Sequence, residues 1–374
     1  MKYIKRVFCA TALILGTVIG SAQSQAEASP AGADIKAVEQ VQLKKSGYRD
    51  AAEFWQNQTM LNNKNADAWL NYYKAVRYGD YTEKSRKISS ATELRLSQII
   101  KDMEKHVGAS FAFHYASYLQ KNKSSESFVH LENAFLLRPD EPELWDDMLC
   151  KSVIEKNSQQ ISLFARKLSE SAVYSASELE YNRNVLNSLE QNAILITHGN
   201  VDTYPLIILQ QVQNFRQDVK IICLDWFNNA AYLKNLADSD PALLGKLSVN
   251  QPYESLNELV KRSEGKALYL ALTIPADVIG DLSNNLYCTG LSVKYSKTAL
   301  NNIPSLDNNW KQLFSKNYIT SGETINKNYV LPLVLLYDYY RDSGQTQQAE
   351  SVRSLLQTLG SNFGMQAIIQ KQID

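Results

Sequence analysis

The residues best suited to chemistry sit in two short phrases, each following an apolar run. Thr197-His198-Gly199-Asn200-Val201-Asp202-Thr203 follows Ala193–Thr197, and Asp225-Trp226-Phe227-Asn228-Asn229 follows Val219–Leu224. An imidazole such as His198 can serve as a general base or a ligand because it titrates near neutrality. Asp202 and Asp225 could accept hydrogen bonds from hydroxyls, and Trp226 or Tyr204 could stack on a sugar ring. Gly199 can take positive φ, and Asp202 or Thr203 can cap a following helix, the structural role that competes with binding. The candidate ligand-binding set is therefore His198, Gly199, Asn200, Asp202, Thr203, Asp225 and Trp226. No residue is assigned a catalytic or metal-binding role, and no cofactor is implied. GxGxxG, GxxxxGK[ST] and GxSxG are all absent from the chain.

These phrases must be positioned by the elements around them. Ala193–Thr197 and Val219–Leu224 are short and β-branched, as strands buried on both faces of a parallel sheet are. Thr203 to about Phe215 has roughly helical apolar spacing, so the stretch reads as a βαβ unit. A helix over Asn229–Leu236 and a loop over Asp238–Tyr253 follow. Next come a helix over Ser255–Arg262, a strand over Ala267–Thr273 and a helix over Ala276–Leu282. A strand-like run over Tyr287–Tyr295 closes the region. Residues 190–300 therefore predict a small, mostly parallel α/β sheet of about four strands. Sites in such sheets lie beyond the carboxyl ends of the strands, where both phrases fall, joined by Thr273-Ile274-Pro275.

The flanks are helical in pattern. Phe111, Tyr115, Tyr118, Ser127, Leu131, Ala134 and Pro139 stand at the offsets of a tetratricopeptide repeat, and Trp145 follows Phe111 by one repeat of 34 residues. Gly47, Ala51, Trp55, Asn63 and Trp69 form an earlier half-match, and Tyr81–Val107 reads as an inserted or extended helix. Leu333, Tyr337, Tyr340, Gly344, Ala349 and Leu356 match again, with Arg353 at a position that is normally apolar. Residues 35–189 thus resemble a tetratricopeptide-like α-solenoid, and 301–374 a C-terminal region with one such helical hairpin. A generic helical bundle is the alternative.

Residues 1–28 read as a signal peptide, with a basic start at Lys2, Lys5 and Arg6, an apolar run Val7–Ile19 and small residues after it. Residues 29–34 are a linker. The expectation is a periplasmic protein with no transmembrane span in the mature chain; an uncleaved inner-membrane anchor is the alternative. The 39 basic and 39 acidic residues balance, which removes the electrostatic case for nucleic acid. Beyond Cys9 remain Cys150, Cys223 and Cys288, an odd number. Buried thiols are the favoured reading, with a Cys223–Cys288 bridge as the alternative. No Cys/His spacing suggests zinc.

The run from Ala193 through Gly199, Asp202-Thr203-Tyr204-Pro205, Leu209-Gln210-Gln211-Val212 and Arg216-Gln217-Asp218-Val219 resembles a bacterial envelope family. Its members are multi-pass proteins related to protein O-mannosyltransferases, common in Bacteroidetes-type bacteria. Their soluble C-terminal portion carries a phrase like "GDNDTFPLWYLQ". Gly265–Thr273 and Leu286–Leu291 resemble its closing strands. Only Gly199, Asp202 and Thr203 of the loop phrase are retained; Asn200 and Val201 replace an acidic and an amide residue, and valine has no hydrogen-bonding side chain. The multi-pass portion, which would hold the transfer machinery, has no counterpart here. The resemblance therefore implies a fold and a compartment rather than transferase activity. The leading expectation is a non-enzymatic interaction or scaffold protein, with envelope proteins as partners of the tetratricopeptide-like surface and an accessory role in glycosylation or surface-protein assembly. The rival is a sugar- or nucleotide-binding domain or an enzyme using loop 197–203.

Overall fold

The computed structural model describes residues 32–36, 43–80, 88–121, 123–171, 173–245, 252–263 and 265–374. The expected signal peptide 1–28 with Cys9, the first half of the linker and Tyr81–Lys87 lie outside these residues. Tertiary contacts divide the chain into two compact units, one ending at Val153 and the other running from Ile154 to Asp374. The boundary expected from sequence is 189/190. The division falls earlier because the helices that follow Ile154 pack on the sheet region.

The first unit comprises α1 (Lys45–Leu61), α2 (Ala66–Asp80), α3 (Ser90–Val107), α4 (Phe111–Gln120), α5 (Phe128–Leu137) and α6 (Trp145–Ile154). Serine hydroxyls start two of these: Ser89 accepts from the Thr92 N–H and Ser110 from the Phe113 N–H, each at 3.3 Å. Helix α2 packs against α1, α3 and α4, and α4 against α5. The repeat-spaced Phe111, Tyr115, Tyr118, Leu131 and Ala134 are all buried. Alanines at 112, 116 and 134 leave no room-filling side chain, so the backbones of α4 and α5 approach closely.

The second unit begins with α7 (Ser158–Glu170) and α8 (Ala176–Asn187), both packed on α9 (Tyr204–Val212) of the α/β region. Strand β1 (Ile194–Thr197) precedes α9, and β2 (Lys220–Cys223) follows it. A 3-10 turn (Leu224–Asn228), α10 (Ala230–Ser239), α11 (Pro241–Leu244) and α12 (Pro252–Arg262) lead to β3 (Leu268–Ala271). Then come α13 (Ala276–Ile279), a 3-10 turn (Gly280–Asn285), β4 (Leu286–Cys288) and β5 (Ser292–Tyr295). Within the region expected to be a loop, α11 forms because Asp240 accepts from the Leu243 N–H at 3.1 Å and Pro241 supplies a preset φ.

The sheet has five strands in the order β2-β1-β3-β5-β4. β1 runs parallel to β2 and β3, with Leu195 opposite both Ile221 and Tyr269, whereas β5 is antiparallel to β3 and β4. The expected single strand Tyr287–Tyr295 is instead a hairpin, so the sheet is mixed and one strand larger. Gly290 explains the reversal. A Cβ there would lie 2.4 Å from Ser188 Cβ, so only glycine lets the turn press against the end of α8. All four residues of β1 are buried, as expected of a central strand covered on both faces.

The chain closes with α14 (Ile303–Asn308), a π-turn (Asn309–Leu313), a 3-10 segment (Thr324–Tyr329), α15 (Val330–Asp342), α16 (Thr346–Phe363) and α17 (Gln366–Ile373). Leu333, Tyr337, Tyr340, Ala349 and Leu356 are buried between α15, α16 and α17. Gly344 takes φ +73° at the α15–α16 turn, where the Gln345 N–H donates to Tyr340 O at 2.8 Å. Arg353 keeps its charge at the surface beside Glu350 (3.7 Å). Cys150, Cys223 and Cys288 are buried and form no disulfide with one another. Among the described residues no helix is long and apolar enough to cross a membrane.

Candidate functional site

From β1 the chain moves to β2 on one side, then crosses to β3 on the other. The carboxyl ends of β1 and β3 therefore diverge at a topological switch point, the usual place for a ligand in a parallel sheet. Loop 197–203 leaves β1 at this point. Gly199 adopts φ +101°, which turns the chain sharply enough for Asn200 O to accept from the N–H groups of Thr203 (3.3 Å) and Tyr204 (3.1 Å).

Neither Asp202 nor Thr203 caps α9, which corrects the expected capping role. The helix starts without a side-chain cap, its first turn satisfied by Asn200 O and by Pro205, which has no N–H to satisfy. Asp202 turns the other way. Its Oδ2 accepts from the His198 N–H at 3.0 Å and from the Thr273 hydroxyl beyond β3. The carboxyl group thus ties the ends of β1 and β3 across the crevice. Thr203 Oγ1 lies 2.8 Å from Thr197 Oγ1 and 3.5 Å from Cys223 Sγ, joining the loop to β2.

Asp202 is buried, and burial pushes its carboxyl up from the ordinary 3.8 to about 7. Hydrogen bonds from His198 and Thr273 oppose that rise, and the negative charge of Asp225 adds to it. Asp202 consequently exchanges its proton near neutral pH. Above it, His198 Nε2 lies 3.1 Å from Asp225 Oδ1, with the two side chains 15% and 30% exposed. The sequence offered His198 no assigned carboxylate partner; the fold supplies one from the turn after β2.

The aromatic groups are not available for stacking. Trp226 is 3% exposed and Tyr204 1%, their rings 6.0 Å apart, and Tyr232 meets Trp226 edge-on at 5.4 Å. The expected sugar platform is thus part of the core. Asn229 is committed as well, accepting from the N–H groups of Ala231 (3.0 Å) and Tyr232 (3.2 Å) to cap α10.

A family described as TMEM260-associated domain 2 matches residues 178–245. No curated protein and no solved structure matches the chain. The matched span runs from α8 through α11. It contains loop 197–203 and the Asp225-Trp226 turn, and it leaves out β3 with Thr273, as well as the β4–β5 hairpin.

Two residues that motif reading passed over complete the arrangement. Asn182 of α8 is fully buried and donates to Val201 O at 2.9 Å and Glu178 O at 2.8 Å, fastening the loop from below. Tyr181 beside it is close enough to Asp202 to feel its charge, which joins burial and Tyr329 in pushing its phenol well above the usual range. Both lie on α8, outside the βαβ unit, where periodicity marks an ordinary helix. Thr273 alone carried a signal, its place at a third strand end.

Proposed function

We propose that this is an exported protein-interaction scaffold whose α/β region is a structural descendant of a binding domain rather than a working one. The observation that carries this reading is the inward commitment of the switch-point groups. Asp202 bonds the His198 N–H and Thr273, Thr203 bonds Thr197, and Trp226 and Tyr204 are buried. A site built for a sugar or nucleotide would keep such groups facing solvent until the ligand satisfied them. The first unit then supplies the interaction surface, as tetratricopeptide-like helices stacked so that each pair covers the open apolar face of the last. Burial of the repeat-spaced residues of α4 and α5 supports that reading, as does the α15–α16 hairpin with its left-handed Gly344.

The compartment in this reading is the periplasm, reached through residues 1–28, and the partners are envelope proteins. The match to TMEM260-associated domain 2 overlaps the phrase that resembles envelope proteins related to O-mannosyltransferases. It supports an accessory role beside envelope glycosylation or surface-protein assembly. Crosslinking of the mature protein in intact cells, followed by mass spectrometry, tests this. Recovery of envelope proteins joined to α1–α6 is the expected result, and crosslinks confined to cytoplasmic proteins would overturn it.

One observation favours a second reading, a ligand site. The partly exposed His198–Asp225 pair beside the proton-exchanging Asp202 is an acid–base arrangement at the switch point. NMR titration of His198 with sugars and nucleotides separates the two: saturable shifts support the site, and unchanged resonances support the scaffold.

A further inference from the structure

The first unit holds an imidazole pair that plays no part in the proposal above. His114 on α4 and His130 on α5 face each other with their Nδ1 atoms 3.0 Å apart. Their ring centroids are 5.3 Å apart and the planes are inclined by 42°. Phe113 meets both rings edge-on, at 5.3 Å from His114 and 5.7 Å from His130. Helix α4 is capped by Ser110, and α5 is anchored by buried Phe128, Leu131 and Ala134. Both imidazoles are therefore held on rigid backbone, with one aromatic ring restricting their rotation.

Two neutral imidazoles in this geometry can share a single N–H···N bond, and only if they adopt complementary protonation at Nδ1. A metal ion would engage both lone pairs together. With metal–nitrogen bonds of about 2.0–2.1 Å, donors at this separation subtend about 94° at the ion. That is the angle between neighbouring ligands of a tetragonal centre, and it falls short of the tetrahedral angle that structural zinc adopts. Nitrogen and oxygen donors in tetragonal array suit copper(II) and nickel(II), and copper(II) binds more tightly in the general affinity order.

We propose that His114 and His130 form a two-imidazole site for a divalent transition ion of tetragonal preference, copper(II) above nickel(II), with water completing the coordination. Both residues are partly exposed, which leaves room for those waters. Partial burial lowers both imidazoles below their ordinary value, and the ring of His130 adds to this at His114. Lys121, the cation that acts on His130, has Glu126 against it at 2.9 Å, so the positive charge nearest the site is already offset.

The test is titration of the full chain with copper(II), read by calorimetry and by electron paramagnetic resonance. Wild type is expected to bind one equivalent, with a tetragonal spectrum showing coupling to two imidazole nitrogens. His114→Asn and His130→Asn should each weaken binding by at least about tenfold and leave one coupled imidazole. His106→Asn should bind like wild type. Equal affinity and an unchanged spectrum in both pair variants would overturn the site. Because either substitution could loosen the α4–α5 hairpin, wild type is also modified with diethyl pyrocarbonate. Copper should protect His114 and His130 together, and unchanged modification rates at both would count equally against the proposal.

Discussion

Glu143 in the first unit and Asp202 in the second are both carboxylates withdrawn from water, but their surroundings differ in kind. Glu143 Oε2 has the ammonium of Lys74 at 2.5 Å, and that ammonium also lies over the ring of Tyr115. Asp202 is held by neutral donors, a backbone N–H and a hydroxyl, with the negative Asp225 nearby. In the helical unit, opposite charges offset each other's desolvation. In the α/β unit, uptake of a proton by Asp202 itself performs that task near neutral pH. The first arrangement ties α2 to the chain just before α6, whereas the second makes the clasp between β1 and β3 sensitive to pH.

The largest effect should come from breaking the ion pair on one side only. Lys74→Met is expected to destabilise the chain by about 4 kcal/mol in urea unfolding, because Glu143 would lose the ammonium that offsets its withdrawal from water. The double change Lys74→Met with Glu143→Leu should recover most of that loss. If it did not, the pair would be contributing more than mutual compensation.

Asp202 should respond with the opposite logic. Its carboxyl is raised from 3.8 to about 7 in the folded chain, so the unfolded chain releases the proton first. The associated stability is full below pH 4 and declines as pH rises towards 7, by about 4 kcal/mol in all. Asp202→Asn keeps an acceptor for the His198 N–H and Thr273 while removing the charge. The variant should lose this slope and be more stable than wild type at pH 8. Parallel denaturation curves for the two proteins at pH 5 and pH 8, with no change in their difference, would contradict the assignment.

Two glycines sharpen the contrast between a close approach and a turn conformation. Gly290→Ala should cost about 3 kcal/mol, since the new methyl meets the end of α8 and the β4–β5 hairpin must shift. Gly344→Ala should cost only about 1 kcal/mol, because its surroundings are open and the penalty is the left-handed backbone alone. Thermal unfolding of both variants decides whether steric crowding or backbone strain dominates.

Much of this contrast was legible in the chain before it folded. The repeat offsets from Phe111 to Ala134 and from Leu333 to Leu356 mark residues that are buried, and Gly344 marks a turn. The apolar runs around residues 194, 220 and 268 mark the three parallel strands. The hairpin at Gly290 was not legible, because a short strand-like run with a glycine inside it reads the same as one bulged strand or as two short ones. Nor were the roles of Asn182 and Thr273 within the candidate site, which bond loop residues 19 and 71 positions away in the chain.

Loop 197–203 shows where the division lies. Local sequence alone determined that a strand would end at Thr197, that Gly199 would turn the chain and that polar groups would collect at the strand end. Those outcomes follow from β-branched burial, freedom of φ and side-chain chemistry, all carried by neighbouring residues. Only the tertiary structure decided that Asp202 would bond Thr273 instead of capping α9, that His198 would meet Asp225, and that Trp226 would vanish into the core. Each of those depends on which strand lies beside β1 and which helix covers it, a choice made by packing between segments far apart in the chain.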